Sequence, residues 1–85
     1  MQRIQPVWRR GEPLRLTYEV RGSLAGLRLV VGDSVFVASL GEGSAEIVVP
    51  ADRFSLVADG ERVALQAVTP SGWESVATGF LVKEV

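Results

Sequence analysis

Between Leu14 and Arg21 apolar and polar residues alternate without a break, Leu14, Leu16, Tyr18 and Val20 against Arg15, Thr17, Glu19 and Arg21. A period of two turns the first set towards a core and the second towards water, so this segment predicts a half-buried β-strand. No segment has the 3.6-residue periodicity of an amphipathic helix. Six further strands are predicted, over 4–9, 27–31, 34–40, 45–49, 63–68 and 73–82. Gly and Pro punctuation separates them at intervals of eight to twelve residues: 11–13, 22–26, 32–33, 41–44, Pro50, 59–62 and 69–72. Pro6 has no N–H to give a ladder, so the first strand is expected at an edge or to be irregular. Pro50 ends the fifth strand, and residues 50–58 cross over, with Phe54 and Leu56 expected to plug one end of the core. Seven short antiparallel strands predict an all-β fold, a small immunoglobulin-like β-sandwich forming a single domain over 1–85. The Cys–Trp–Cys pattern of antibody domains is missing.

Composition agrees with this picture and narrows it. Val supplies 14 of the 85 residues, a stiff β-branched side chain suited to a pleated surface. With 47% hydrophobic residues and a mean hydropathy of +0.24, the chain can bury enough to escape disorder. A folded monomer of 9.2 kDa is expected to expose roughly 4,900 Å². Absence of His and Cys removes disulfides, zinc sites of the Cys/His kind, a Cys nucleophile and a Ser–His pair. No stretch approaches the ~20 apolar residues of a membrane span. Met1–Pro6 lacks the apolar core of a signal peptide, so no export and no membrane partner are expected.

The net charge of −1 hides an asymmetry. Residues 1–28 carry six arginines against Glu12 and Glu19, a net +4; residues 29–85 carry three bases against eight acids, a net −5. Outward strand faces account for this, but eight arginines to one lysine also fits a protein interface. Gly41-Glu42-Gly43-Ser44 has the look of a phosphate loop, yet no helix or P-loop lysine follows, and it reads as a hairpin turn. Asp59 and Glu61 fall short of the six or more oxygens calcium needs. Glu42 and Glu46 sit beside a turn, where a solvated face outweighs acid/base work. Trp8 with Arg9 and Arg10 on an acidic chain is thin support for nucleic acid, and no such partner is expected. No cofactor is implied. In the last strand Val76, Phe80 and Val82 share one parity, and Trp73, Ser75, Ala77, Gly79 and Leu81 the other. With Phe80 in the core, Trp73 points outward as an interface anchor unless a bulge intervenes; a core or turn-covering ring is equally open.

From Arg10 onward the layout resembles the small immunoglobulin-like domains of tailed bacteriophages, of the kind that open BppU-type upper-baseplate and tail-fibre proteins. The resemblance rests on Gly11-Glu12 stepping into Leu14–Val20, and on the Ser23-Leu24-Ala25-Gly26 loop. It also rests on the Thr69-Pro70-Ser71-Gly72-Trp73 hairpin and the Thr78-Gly79-Phe80-Leu81-Val82 exit. In that family the domain is followed by a fibre or receptor-binding head, whereas this sequence stops at Val85. The resemblance therefore implies a free-standing structural virion protein, a capsid decoration (cement) protein or a small tail or baseplate subunit. It would be assembled in the bacterial cytoplasm and located in the virion. Its partner would be a major capsid protein or a tail/baseplate protein, and a homo-oligomer such as a trimer is expected. Residues 1–10 are expected to be a partner-binding arm. Ile4, Val7, Trp8, Arg9 and Arg10 would act with Trp73 as the contact residues, and deleting 1–10 should leave a folded domain unable to bind. A carbohydrate- or surface-binding module and a small inhibitor of a host protein are the alternatives; catalysis is not expected.

Overall fold

The computed structural model describes residues 2–22 and 24–85; Ser23, within the predicted 22–26 loop, and Met1 lie outside the described residues. The fold is all-β. Ten short strands follow one another: β1 (Gln2–Ile4), β2 (Val7–Arg9), β3 (Leu14–Glu19), β4 (Leu27–Val31), β5 (Ser34–Val37), β6 (Ser39–Gly41), β7 (Ser44–Val49), β8 (Arg62–Thr69), β9 (Gly72–Phe80) and β10 (Val82–Glu84). A 3-10 helix, Ala51–Leu56, joins β7 to β8. Among the described residues no helix is long and apolar enough to cross a membrane.

The strands form a five-stranded sheet in the order β1-β9-β8-β4-β5, a three-stranded sheet β3-β7-β6 and a ribbon β10-β2. All seven predicted strands are present, but three of them break in two where the chain leaves one sheet for another. The 4–9 segment breaks at Gln5-Pro6, 34–40 at Ala38 and 73–82 at Leu81. Pro6 supplies the first break, because a residue without an N–H cannot continue a ladder. The expectation of a purely antiparallel sandwich needs correction. β1 runs parallel to β9 and β2 parallel to β10, so the first and last segments of the chain run side by side in the same direction.

The core lies between the sheets. Leu29, Val31, Val63, Leu65 and Ala77 come from the five-stranded sheet, and Leu14, Ala45, Ile47 and Val49 from the three-stranded one. β3 follows its predicted alternation, with Leu14 buried and Leu16 and Tyr18 half-buried. Burial pushes the Tyr18 hydroxyl above its usual pKa of 10.0. Phe54 plugs the core as expected, whereas Leu56 is 75% exposed because the tight 3-10 turn carries it away from Phe54 and out to water. β4 and β5 are joined by Gly32-Asp33, with Gly32 at φ 56°, the left-handed geometry a two-residue hairpin asks of its first residue.

The N-terminal segment is part of the sandwich. Trp8 is only 1% exposed and is the largest of the fully buried side chains. Its ring meets Phe54 edge to face, centroids 5.3 Å apart at 85°, and its Nε1 donates to the Glu12 carbonyl at 2.8 Å. Phe54 in turn lies under the Lys83 ammonium, 4.2 Å from the ring centre, while that ammonium donates to the Val57 carbonyl at 2.7 Å. Residues 2–9 are thus a structural element, not a free arm, and Trp8 has no surface to offer a partner.

Candidate protein-docking face

The outward side of the five-stranded sheet is unlike the outward side of its neighbour. On the three-stranded sheet it carries Arg15, Thr17, Glu19, Ser44, Glu46 and Val48, a mixed polar surface. On the five-stranded sheet, cross-strand partners place Arg3 beside Thr78, Thr78 beside Ala64, Ala64 beside Val30 and Val30 beside Val35. The next rows pair Arg28 with Val37 and Gln66, Val68 with Trp73, and Arg62 with Phe80. Among the described residues, half of the large hydrophobics left exposed sit here: Val35, Val37, Trp73, Val76 and Phe80. The only charges on these strands' outward face are Arg3, Arg28 and Arg62. Aromatic and aliphatic side chains mixed with arginine and free of carboxylates are the composition of a protein interface.

A bulge builds this face. Gln66 pairs with Ser75 while the preceding Leu65 pairs with Ala77, leaving Val76 as an extra residue in β9. The extra residue inverts the side-chain alternation between the halves of the strand. Trp73 and Phe80 differ in sequence parity, yet both point outward, at 38% and 57% exposure. Of the two cases the sequence leaves open, the bulge is the one that applies: Phe80 faces out, and Leu81, 1% exposed, lies in the core. Trp73 does face outward, but because of the bulge and not because Phe80 faces in.

Trp73 is held in position. The Arg28 guanidinium lies 4.2 Å from its ring centre and donates from Nε to Gln66 Oε1 at 2.8 Å; Gln66 Nε2 reaches Ser75 Oγ at 3.4 Å. Gly26 lies against the ring edge, where an added Cβ would come within 3.1 Å of Trp73 and 3.0 Å of Val68. One face of the indole is thus already occupied by a cation. At the other end of the sheet Arg3, Arg62 and Phe80 rim an open hollow of about 660 Å³. Acrylamide quenching should resolve the two tryptophans, Trp73 accessible and Trp8 protected. A Trp73→Phe variant should retain only the protected emission; uniform quenching of both would contradict this placement.

The residues expected to form the contact set are not brought together. Ile4 is half-buried against the core, Trp8 is inside it, and Val7, Arg9 and Arg10 are exposed on and after β2. Arg9 pairs with Glu84 at 3.0 Å, and Arg10 lies 5.8 Å from the Phe54 ring centre. Trp73 sits at the opposite end of β9 from the stretch that pairs with β1. Asp59 accepts the Lys83 amide at 2.9 Å, and Glu42-Gly43 is the turn of the β6–β7 hairpin. Among the described residues no three acidic side chains converge on a metal-sized space. Sequence reasoning passed over Arg28, Val35, Val37, Arg62, Val76 and Phe80. One signal was available: Leu29-Val30-Val31 and Val35-Phe36-Val37-Ala38 are unbroken apolar runs, as in strands covered on both faces.

No protein-family model matches this sequence, and no curated protein matches it either.

Proposed function

We propose that this chain is a structural, non-catalytic docking domain that binds a protein partner through the outward face of its five-stranded sheet. Its place is in the virion of a tailed bacteriophage, as a capsid decoration protein or a small tail or baseplate subunit. The docking half of the reading is carried by one observation, an apolar and arginine-bearing sheet face without carboxylates. Charge complementarity asks for acidic side chains on the partner, facing Arg3, Arg28 and Arg62. Surface area adds support. The molecule exposes 5631 Å², roughly 700 Å² more than its mass leads one to expect, and an ordinary interface covers roughly 800 Å² per partner. Its elongated shape, 37 × 23 × 18 Å, accounts for part of that surplus. The virion half rests on the sequence resemblance. A sugar-binding platform is disfavoured by Arg28, which already covers one face of the Trp73 ring.

Particles purified from cells that carry this gene test the virion reading. The protein is expected in them in a fixed, multiple copy number; its absence from intact particles would refute that reading. Particles stripped of it should rebind the purified wild-type chain. Phe80→Asp, a substitution at an exposed position, should weaken rebinding at least about tenfold without a change in melting temperature. Rebinding by wild type should also weaken with added salt if the arginines contribute. Equal rebinding by Phe80→Asp would remove the face from the proposal.

A further inference from the structure

The exposed edge of the five-stranded sheet makes a separate statement, independent of what its face binds. β5 hydrogen-bonds β4 on one side only and ends the sheet. The Ala38 N–H donates to the Leu27 carbonyl at 2.8 Å, which fixes Leu27/Ala38 as a hydrogen-bonded pair. Such pairs alternate along an antiparallel ladder. Leu29/Phe36 and Val31/Ser34 are therefore also hydrogen-bonded pairs, and the N–H and C=O groups of Val35 and Val37 point away from the sheet. Among the described residues no other backbone group meets them.

Edges of this kind are normally guarded by charge, proline or a bulge. β1 has Arg3 and is followed by Pro6; β3 has Arg15 and Glu19 and is preceded by Pro13. β5 itself holds none of these, and the nearest charge is Asp33 in the turn before it. From Ser34 to Gly41 there is no charged residue, and the β4–β5 register is unbroken. Val37 is 69% exposed and Val35 48%.

We propose that β5 pairs with β5 of a second copy of this chain, antiparallel across a two-fold axis at Phe36. In that register Val35 meets Val37 of the second copy and Val37 meets its Val35. Both are hydrogen-bonded pairs, giving about four backbone bonds. The two Phe36 residues face each other as the close, non-bonded pair at the centre, on the inner side of the joined sheets. The arrangement is self-complementary, as a two-fold interface must be. It sets valine against valine and brings no charge opposite a like charge. It also makes one continuous sheet of the two five-stranded sheets and presents two docking faces side by side, so that weak contacts on each add as avidity.

Light scattering behind size exclusion, from micromolar to about 1 mM chain, reads the mass, and hydrogen exchange reads the edge. The expected result is twice the 9.2 kDa chain mass at the upper concentrations, with the Val35 and Val37 amides protected only where the dimer is populated. The double variant Val35→Lys/Val37→Lys places lysine opposite lysine and should raise the dimer dissociation constant at least about tenfold. Val37→Thr keeps a neutral β-branched residue and should dimerise. Protected Trp8 emission in both variants reports an intact core. A monomer throughout the range overturns the proposal. So does a dimer or trimer in which the Val35 and Val37 amides exchange freely, and so does a folded double-lysine variant that dimerises as well as wild type.

Discussion

Removing residues 1–10 is expected to abolish cooperative folding. The deletion takes away β1 and β2, and with them a parallel partner for each of β9 and β10. It also removes Trp8, the Phe54 contact and the Trp8 Nε1 hydrogen bond. Trp8→Ala alone should cost about 3–5 kcal/mol, the usual loss for a large aromatic truncated inside a core. A domain of this size has on the order of 4–13 kcal/mol to lose. The point variant should therefore be marginal at room temperature and the deletion unfolded. Thermal and urea unfolding followed by circular dichroism check both. A deletion variant that still melts cooperatively with native near-ultraviolet signal would show that the segment is an appendage after all.

Gly79→Ala is the second large effect, and its cause is space. Gly79 pairs with Ile4, and a Cβ there would overlap the Ile4 carbonyl oxygen and carbon, backbone atoms that cannot rotate aside. Gly79 does not have a positive φ, so alanine has no conformational objection to the site itself. The expected outcome is that β1 leaves β9, while β2, Trp8 and the rest of the sandwich stay in place. Overpacking of this kind costs about 1–3 kcal/mol and more where backbone must move. In a domain of this length each kcal/mol lowers the melting temperature by about 4–8 °C. Hydrogen exchange locates the damage: the Gln2–Ile4 amides should lose protection and those of β8 and β4 should keep it. Wild-type stability with Gln2–Ile4 still protected would mean that the two strands can move apart at no cost.

Different parts of the molecule were legible in the sequence to different degrees. Leu14–Val20 could be read directly, since one face of β3 is wet and the other dry, and alternation reports that contrast. The Gly32-Asp33 turn was equally plain. Trp8 was not, because its neighbours Val7, Arg9 and Arg10 are exposed, and a single large ring between them reads as an anchor until its partner Phe54, far along the chain, is known. The bulge at Val76 left no mark either. An inserted residue reverses parity without any change in composition, so parity alone could not put Trp73 and Phe80 on one face, and the docking face went unseen. The switches between sheets at Ala38 and Leu81 were hidden for a related reason. Both residues are apolar and compatible with a continuing strand, and only the second sheet determines where the chain turns.

The two parallel ribbons also bear on how the domain would carry a load. β1 beside β9 and β2 beside β10 run in the same direction, so Gln2 lies beside Ala77 and Glu84 beside Arg9, at opposite ends of the paired terminal segments. Tension applied between those points slides each pair along its own axis. The slanted bonds of a parallel ladder are then strained together in shear, whereas a hairpin pulled open surrenders its bonds one at a time. Resistance to pulling is set by the rate of unfolding and not by equilibrium stability. A domain of modest thermodynamic stability can in this way be a stiff mechanical link.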